Sequence, residues 1–326
     1  MAFETLIGDS ITEAVVWLNK GQLVGIPTET VYGLAGNGLN VNVVTRIFEA
    51  KNRPYFDPLI LHFKDAESVY GCVKEFPQEA KKLADHFWPG PLTLILPKNE
   101  NVPDLVTSGS SGVAVRVPGH PLTLQLLEQL NFPLAAPSAN PFKYVSPTTA
   151  QHVFDQLQDK IPYVLEGGPS HIGIESTIVS FLHTTPRILR LGGIPVEEIQ
   201  AIIPQTVVDI QHAPNAHESP GQLEHHYAPN CDLRPLESQE FEQESKDDYA
   251  ILYFRKPIFS EYKLSFYLSE SGDLREAASR LFSLLRQFDQ SHIKKVYFEW
   301  APNEGLGQAI NDRLSRASSQ YRGKTN

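Results

Sequence analysis

A chain of 326 residues with 41% apolar and 20% charged residues has the composition of a folded globular protein and the length of about two domains. Its formal net charge of −10 argues against holding duplex nucleic acid through general positive charge, and no run approaches the roughly 18 apolar residues of a membrane span. Two cysteines far apart, Cys72 and Cys231, argue against a disulfide framework or a CxxC zinc site and fit a reducing compartment.

The first ten residues, MAFETLIGDS, lack the basic and apolar regions of a secretory signal, so the expectation is a cytoplasmic protein. Residues 10–19 space Ile11, Val15, Val16 and Leu18 for a helix that Gly21 stops, and residues 22–26 read as a strand. The stretch from Pro27 to Phe63 reads as a strand end, a polar turn at Gly33, Gly36 and Gly38, and a helix over 41–50 capped by Asn40. A basic loop with Lys51 and Arg53, stiffened by Pro54, then leads into an apolar strand over 58–63 that can be buried on both faces. A helix over 77–87, a turn and strand over 88–97, a loop over 99–111 and a strand over 113–117 follow. After a helix over 121–130, a short strand over 133–136 opens into Pro137-Ser-Ala-Asn140. Ser146 before Pro147 reads as a helix start. Strands over 163–165, 176–181 and 187–191 complete an alternation that predicts a mixed α/β sheet.

The texture changes near residue 203. Residues 211–230 are rich in Pro, Asn and His without periodicity and read as a linker. Strands over 249–254, near 264–267 and over 294–300, with helices over 274–288 and after Gly307, predict a small α/β domain. The expected division is a catalytic unit over 1–202, a linker over 203–232 and a small domain over 233–326.

Lys51-x-Arg53 and Ser138-x-Asn140 offer the positive charge and hydrogen-bond donors that a triphosphate needs. Each alone also reads as a solvated basic loop or an ordinary polar turn. No Walker A sequence occurs, so a P-loop enzyme is excluded. Arg116, inside an apolar strand, must find an anion: an internal carboxylate or one on a substrate. His62 is either a satisfied core histidine or a substrate contact. Glu175-Ser176-Thr177 places hydroxyls where a turn enters a strand, as turn residues or as amino-acid ligands. The pair His225-His226 has no partner at zinc-ligand spacing. No Ser–His–Asp or Cys–His arrangement and no Gly-x-Ser-x-Gly elbow can be found.

Six pieces occur in one order: PTETVYGL (27–34), KxRP followed by PLILH (51–62), VAVRVP (113–118), APSAN (136–140), GIESTIV (173–179) and LRLGGIP (189–195). Together they resemble the YrdC-like domain of L-threonylcarbamoyladenylate synthases. The SPG…HYAP linker and GLGQAINDRLSRA (305–317) resemble the two-domain form of that family. The resemblance implies a twisted open mixed sheet of YrdC-like type with a concave, positively lined pocket, and a smaller Rossmann-like C-terminal domain. It implies a reaction in which L-threonine, bicarbonate and ATP give threonylcarbamoyl-AMP and pyrophosphate. The product would pass to a tRNA threonylcarbamoyl transferase complex for modification of adenosine 37 in tRNAs reading ANN codons; direct tRNA contact is left open.

By the same resemblance Lys51 and Arg53 are catalytic and, with Ser138 and Asn140, bind ATP. Asp57, Gly112, Ser146, Arg190 and Tyr227 fall at further ATP positions. Thr30, His62, Arg116, Ala136 and Ser176 fall where threonine is held, with Arg116 as carboxylate clamp. Magnesium would travel with ATP, with no metal ligand from the protein. Three departures stand out: Asp57 replaces a usual Asn, Leu223-Glu224-His225 replace Lys, Tyr and Arg in the linker, and Leu191 replaces a Pro. A non-catalytic RNA-binding or ribosome-assembly module is the alternative, and the acidic balance counts against it. A carbamoyl-phosphate-dependent maturation enzyme would need zinc fingers that two cysteines cannot build.

Overall fold

Alternation along two strands organises the first unit, seen in a computed structural model that describes residues 4–210, 227–237, 249–260, 262–291 and 293–322. Eleven strands form one sheet. They are β1 (Leu6–Gly8), β2 (Val24–Ile26), β3 (Gly33–Asn37), β4 (Ile60–His62), β5 (Leu92–Pro97), β6 (Gly112–Arg116), β7 (Leu134–Ala135), β8 (Tyr163–Leu165), β9 (Thr177–Ser180), β10 (Arg187–Arg190) and β11 (Val207–Val208). Their order is β1-β8-β2-β3-β7-β4-β6-β5-β9-β10-β11. The sheet is mixed, as predicted: β4 runs parallel to β6 and antiparallel to β7, and β5 runs antiparallel to β6 and parallel to β9.

Successive strand residues face opposite sides. Leu59, Leu61 and Phe63, with Val113, Val115 and Val117, bury one face in the main core. The helices α2 (Val41–Lys51), α3 (Gln78–Phe87) and α7 (Val196–Ile202) cover that face with Val43, Ile47, Phe48, Leu83 and Ile199. A second core lies under α1 (Ile11–Asn19) and α5 (Pro121–Glu128). Ile60, His62 and, in register with His62, Arg116 are left on the opposite face of the sheet. There the candidate site residues gather.

The Asn40 cap is present; its side chain accepts hydrogen bonds from the amides of Asn42 and Val43. Four expectations need correction. Gly38 lies in a turn, as expected, but Gly33 and Gly36 lie in β3, paired with β2 and β7. Its glycines serve close packing: a Cβ on Gly36 would lie 2.6 Å from Val43 and 2.8 Å from Leu23. The loop over 99–111 contains the short helix α4 (Asp104–Thr107). Helix α6 (Ala150–Leu157) starts four residues after Ser146, because Thr149 supplies the cap to the His152 amide while Ser146 is buried elsewhere. The sheet also continues through β11, past residue 202.

The second unit is a four-stranded parallel sheet, β12 (Asp232–Pro235), β13 (Ala250–Arg255), β14 (Ser265–Ser269) and β15 (Lys295–Phe298), in the order β12-β15-β13-β14. It carries α8 (Leu274–Gln290) and α9 (Leu306–Arg322), the Rossmann-like arrangement expected. The two units share a core in which Val31, Val145 and Ile174 meet apolar side chains of the small domain. Gly173 has positive φ, and a Cβ there would lie 2.4 Å from the Ser279 backbone of α8. Across the same interface Tyr144 donates to Asp289 at 2.6 Å, and Arg286 donates to the Ser146 carbonyl at 3.3 Å. Cys72 and Cys231 are both buried and unlinked. Among the described residues no helix is long and apolar enough to cross a membrane.

Candidate active site

Where α2 ends, Asn52 adopts a left-handed conformation (φ 51°) and turns the chain back. Arg53 follows, its guanidinium fixed by the chain just ahead of it. Nη2 pairs with Asp57 at 3.0 Å and donates to the Pro58 carbonyl at 2.8 Å, while Nε donates to the Asp57 carbonyl at 3.1 Å. Asp57 is fully buried and does not line the cavity. Its carboxylate aims Arg53. Asp57→Ala is expected to remove a charge-assisted bond worth ~1.5–3 kcal/mol and raise the KM for ATP by roughly ten- to a hundredfold. Steady-state kinetics checks this, and an unchanged KM would deny the aiming role.

Lys51 points at the loop that follows β7. Its ammonium is buried and donates to the carbonyls of Ser138 and Asn140, so it fastens the APSAN turn from behind. Burial, reinforced by Arg53, pushes its pKa well below the usual lysine range. The Asn140 side chain spans the same turn, donating to the carbonyls of Pro141 and Tyr144 at 2.9 and 2.8 Å. Neither Lys51 nor Asn140 lines the cavity that the turn borders; Ser138 does.

Arg116 finds the internal carboxylate that a buried strand cation requires. Nη2 pairs with Glu29 at 2.6 Å, Nη1 donates to Thr30 Oγ1 at 3.1 Å, and Nε donates to the Gly90 carbonyl at 3.1 Å. The guanidinium still lines the cavity. Burial alone would push the Glu29 carboxyl up, but Arg116 outweighs it and holds the group below its usual value. Oε2 of Glu29 is buried with no hydrogen-bond partner among the described residues.

His62 stands beside Arg116, its Nδ1 3.2 Å from the Ile60 carbonyl. Burial, with Arg116 adding to it, pushes its pKa down to about 3, so the ring is neutral at neutral pH. Because that value lies below the unfolded one of about 6.5, the unfolded chain takes up the extra proton between the two. This contribution to stability is intact above pH 6.5 and falls by about 1.4 kcal/mol per pH unit as pH drops towards 3. Between pH 7 and pH 5 the wild type should therefore lose roughly 2 kcal/mol more than His62→Gln in urea unfolding.

On the far wall, Ser176 precedes β9. Its hydroxyl lies 2.7 Å from Thr93 Oγ1 and accepts from Arg190 Nη2 at 3.0 Å, while Arg190 Nε donates to the Ser176 carbonyl at 3.0 Å. Burial lowers the Arg190 pKa to about 10. Next to them Glu175 accepts from Ser146 Oγ at 2.7 Å and pairs with Arg313 of α9 at 3.1 Å. Tyr227 closes the cavity, buried, stacked on Phe282 with centroids 5.3 Å apart.

One cavity therefore collects Thr30, His62, Arg116, Ala136 and Ser176, and with them Arg53, Ser138, Arg190 and Tyr227. Lys51, Asp57, Asn140 and Ser146 lie immediately behind its walls. Gly112 does not line it; a Cβ there would meet Leu182 and Ile95. Of the SPG…HYAP segment, residues 219–226, which include Leu223, Glu224 and His225, lie outside the described residues.

Residues 16–192 match the family described as telomere recombination, the Sua5/YciO/YrdC group, and residues 194–319 match the C-terminal domain of threonylcarbamoyl-AMP synthase. The threonylcarbamoyl-AMP synthase of Pyrococcus abyssi is 39% identical over 317 residues, covering 94% of this chain and 93% of that one. That of Bacillus subtilis is 38% identical over 320 residues, covering 94% and 92%. The crystal structure of P. abyssi Sua5 complexed with L-threonine superposes with a TM-score of 0.88 at 36% identity, covering 98% of both chains.

The chain belongs to the threonylcarbamoyl-AMP synthase family. It is a two-domain synthase, a nucleotidyltransferase of the threonylcarbamoyladenosine pathway of tRNA modification, and the RNA-binding-module alternative is set aside. Two carboxylates at the synthase pocket carried no assignment from sequence. Glu29 lies in the PTETVYGL stretch, and Glu175 was visible only as part of a hydroxyl-rich turn. A buried arginine predicted from strand periodicity is the signal that could have prompted a search for Glu29.

Proposed function

We propose that this cavity condenses L-threonine, bicarbonate and ATP, with threonine on the His62–Arg116–Ser176 side and the nucleotide on the Arg53–Ser138–Arg190 side. The observation that carries the reading is three buried arginines, Arg53, Arg116 and Arg190, converging on one cavity. Among the side chains lining it there is no cysteine and no histidine–hydroxyl pair of the kind an acyl-transfer nucleophile uses.

The chemistry asks for no protein nucleophile. The amine of threonine and bicarbonate give a carbamate and water. A carbamate oxygen then attacks the α-phosphorus of ATP, and pyrophosphate leaves. The protein contributes position and charge. Arg116, steadied by Glu29 and Thr30, would grip the threonine carboxylate. Neutral His62 adds no positive charge that would disfavour an ammonium at the threonine amine. Arg53, aimed by Asp57, and the Ser138 turn, fastened by Lys51, would neutralise the triphosphate, with Arg190 across the cavity. Magnesium would neutralise charge on the triphosphate. Glu175, the one carboxylate lining the cavity among the described residues, is already engaged by Ser146 and Arg313. That donor set suits a metal carried by ATP.

Tyr227, five residues before β12, is proposed to face the nucleotide side of the cavity that it lines. The product, a reactive mixed anhydride, is proposed to pass to a tRNA threonylcarbamoyl transferase complex. Pyrophosphate release tests the reading: it should require L-threonine, bicarbonate and magnesium-ATP together and fall to background when any one is omitted. No release with all three, or release without threonine, would overturn it.

A further inference from the structure

One side chain of the small domain pairs with a carboxylate in the wall of the active site. Arg313, fully buried in α9, places Nε and Nη2 at 3.2 and 3.1 Å from Oε2 of Glu175. Its Nη1 donates to Asp312 at 2.8 Å, and its guanidinium lies 5.3 Å from the Tyr227 ring centroid. Arg316, one turn further, lies 4.9 Å from the same ring. Tyr227 is thus held between a stacked Phe282 and two guanidinium groups, all three from the small domain.

Charge makes this arrangement consequential. Arg53 has Asp57 beside it and Arg116 has Glu29, so two of the cavity's cations already have carboxylate partners. Glu175 is a further carboxylate, and it forms part of the wall itself. It touches Ser146 and lies within electrostatic range of Arg190 and Tyr227. These are residues on the nucleotide side of the cavity under the proposed function. A buried carboxylate facing a polyanionic triphosphate repels it unless a fixed cation cancels the charge.

We propose that Arg313 is a positioning residue for the nucleotide: the small domain supplies a cation that cancels Glu175 and braces Tyr227, and so completes the electrostatics of a pocket lined by the large domain and Tyr227. The inference rests on the proposed placement of ATP. It assigns the small domain a part in ATP affinity, acting through Glu175 across the interface.

The test is pyrophosphate release with ATP and threonine varied separately. Arg313→Met keeps much of the side-chain stem and removes the charge. It should raise the KM for ATP by about tenfold or more while the KM for threonine stays within about twofold. Adding Glu175→Gln in the same chain should bring the ATP value back to within about threefold of wild type, because the charge that needed cancelling is gone. A packing role alone would move both KM values and would not give an ATP-specific rescue. An unmoved ATP KM in Arg313→Met, or no rescue in the double variant, overturns the proposal. Should Arg313→Met fail to fold, Glu175→Gln alone decides. An ATP KM no more than about threefold above wild type supports cancellation, and a larger rise makes Glu175 a ligand in its own right and overturns it. Wild-type protein that releases no pyrophosphate would defeat the functional reading itself. Wild-type turnover with an unmoved Arg313 variant would defeat this inference alone.

Discussion

Arg116→Ala is expected to lower kcat/KM for threonine by roughly two to three orders of magnitude and to cost ~3–5 kcal/mol of stability. Both losses come from one group. In the folded protein Arg116 answers Glu29 at 2.6 Å, and Glu29 is 2% exposed, so deleting the cation leaves a carboxylate buried and unpaired. The same guanidinium forms the cavity wall, so its removal also takes away the proposed clamp for the substrate carboxylate. The two roles separate in a double variant. Arg116→Met with Glu29→Gln should regain most of the stability in urea unfolding, because no charge is then stranded, and should remain inactive. Arg116→Ala with wild-type kcat/KM would remove the clamp from the account.

Lys51→Met should be nearly as damaging by a different route. Lys51 is 1% exposed and gives its ammonium protons to two loop carbonyls, those of Ser138 and Asn140. Each carbonyl left without a donor costs ~1–3 kcal/mol. The APSAN turn then loses its tether to α2, and Ser138 loses the position in which it is proposed to meet the triphosphate. A misplacement of about 1 Å in such a site can cost a hundredfold in rate, and a drop in kcat of about that size is expected. Hydrogen exchange distinguishes this from a direct phosphate contact. Backbone amides of residues 138–144 should exchange faster in Lys51→Met without any ligand present. Exchange identical to wild type would assign Lys51 to the substrate and not to the turn.

Much of the scaffold was legible because its signals are local. Asn40 caps the helix that follows it, and LILHF reads as a strand buried on both faces, one against the core and one against the cavity. What failed locally was governed by distant neighbours. Gly33, Gly36 and Gly38 read as a turn, and Gly38 is in one, yet Gly36 lies in β3 and must be glycine there because α2 and Leu23 press against it. Ser146 before Pro147 has the form of a helix start, but its hydroxyl is committed to Glu175 and the capping falls to Thr149. Asp57 was visible as an anomaly, a carboxylate where phosphates are expected; its pairing with Arg53 four residues earlier accounts for it. Glu29 and Arg116 are 87 positions apart, and Glu175 and Arg313 are 138 apart. No periodicity links such partners; only the strand order and the docking of α9 bring them together.

A crystal structure with L-threonine and a non-hydrolysable ATP analogue measures the central claim most directly, that one cavity holds the amino acid and the nucleotide on opposite walls. The account predicts the threonine carboxylate on Arg116, the triphosphate against Arg53 and Ser138, and the amino group facing the α-phosphorus with room for a single carboxyl group between them. Threonine bound with its carboxylate on Arg53, or a nucleotide seated away from Ser138 and Arg190, would contradict it.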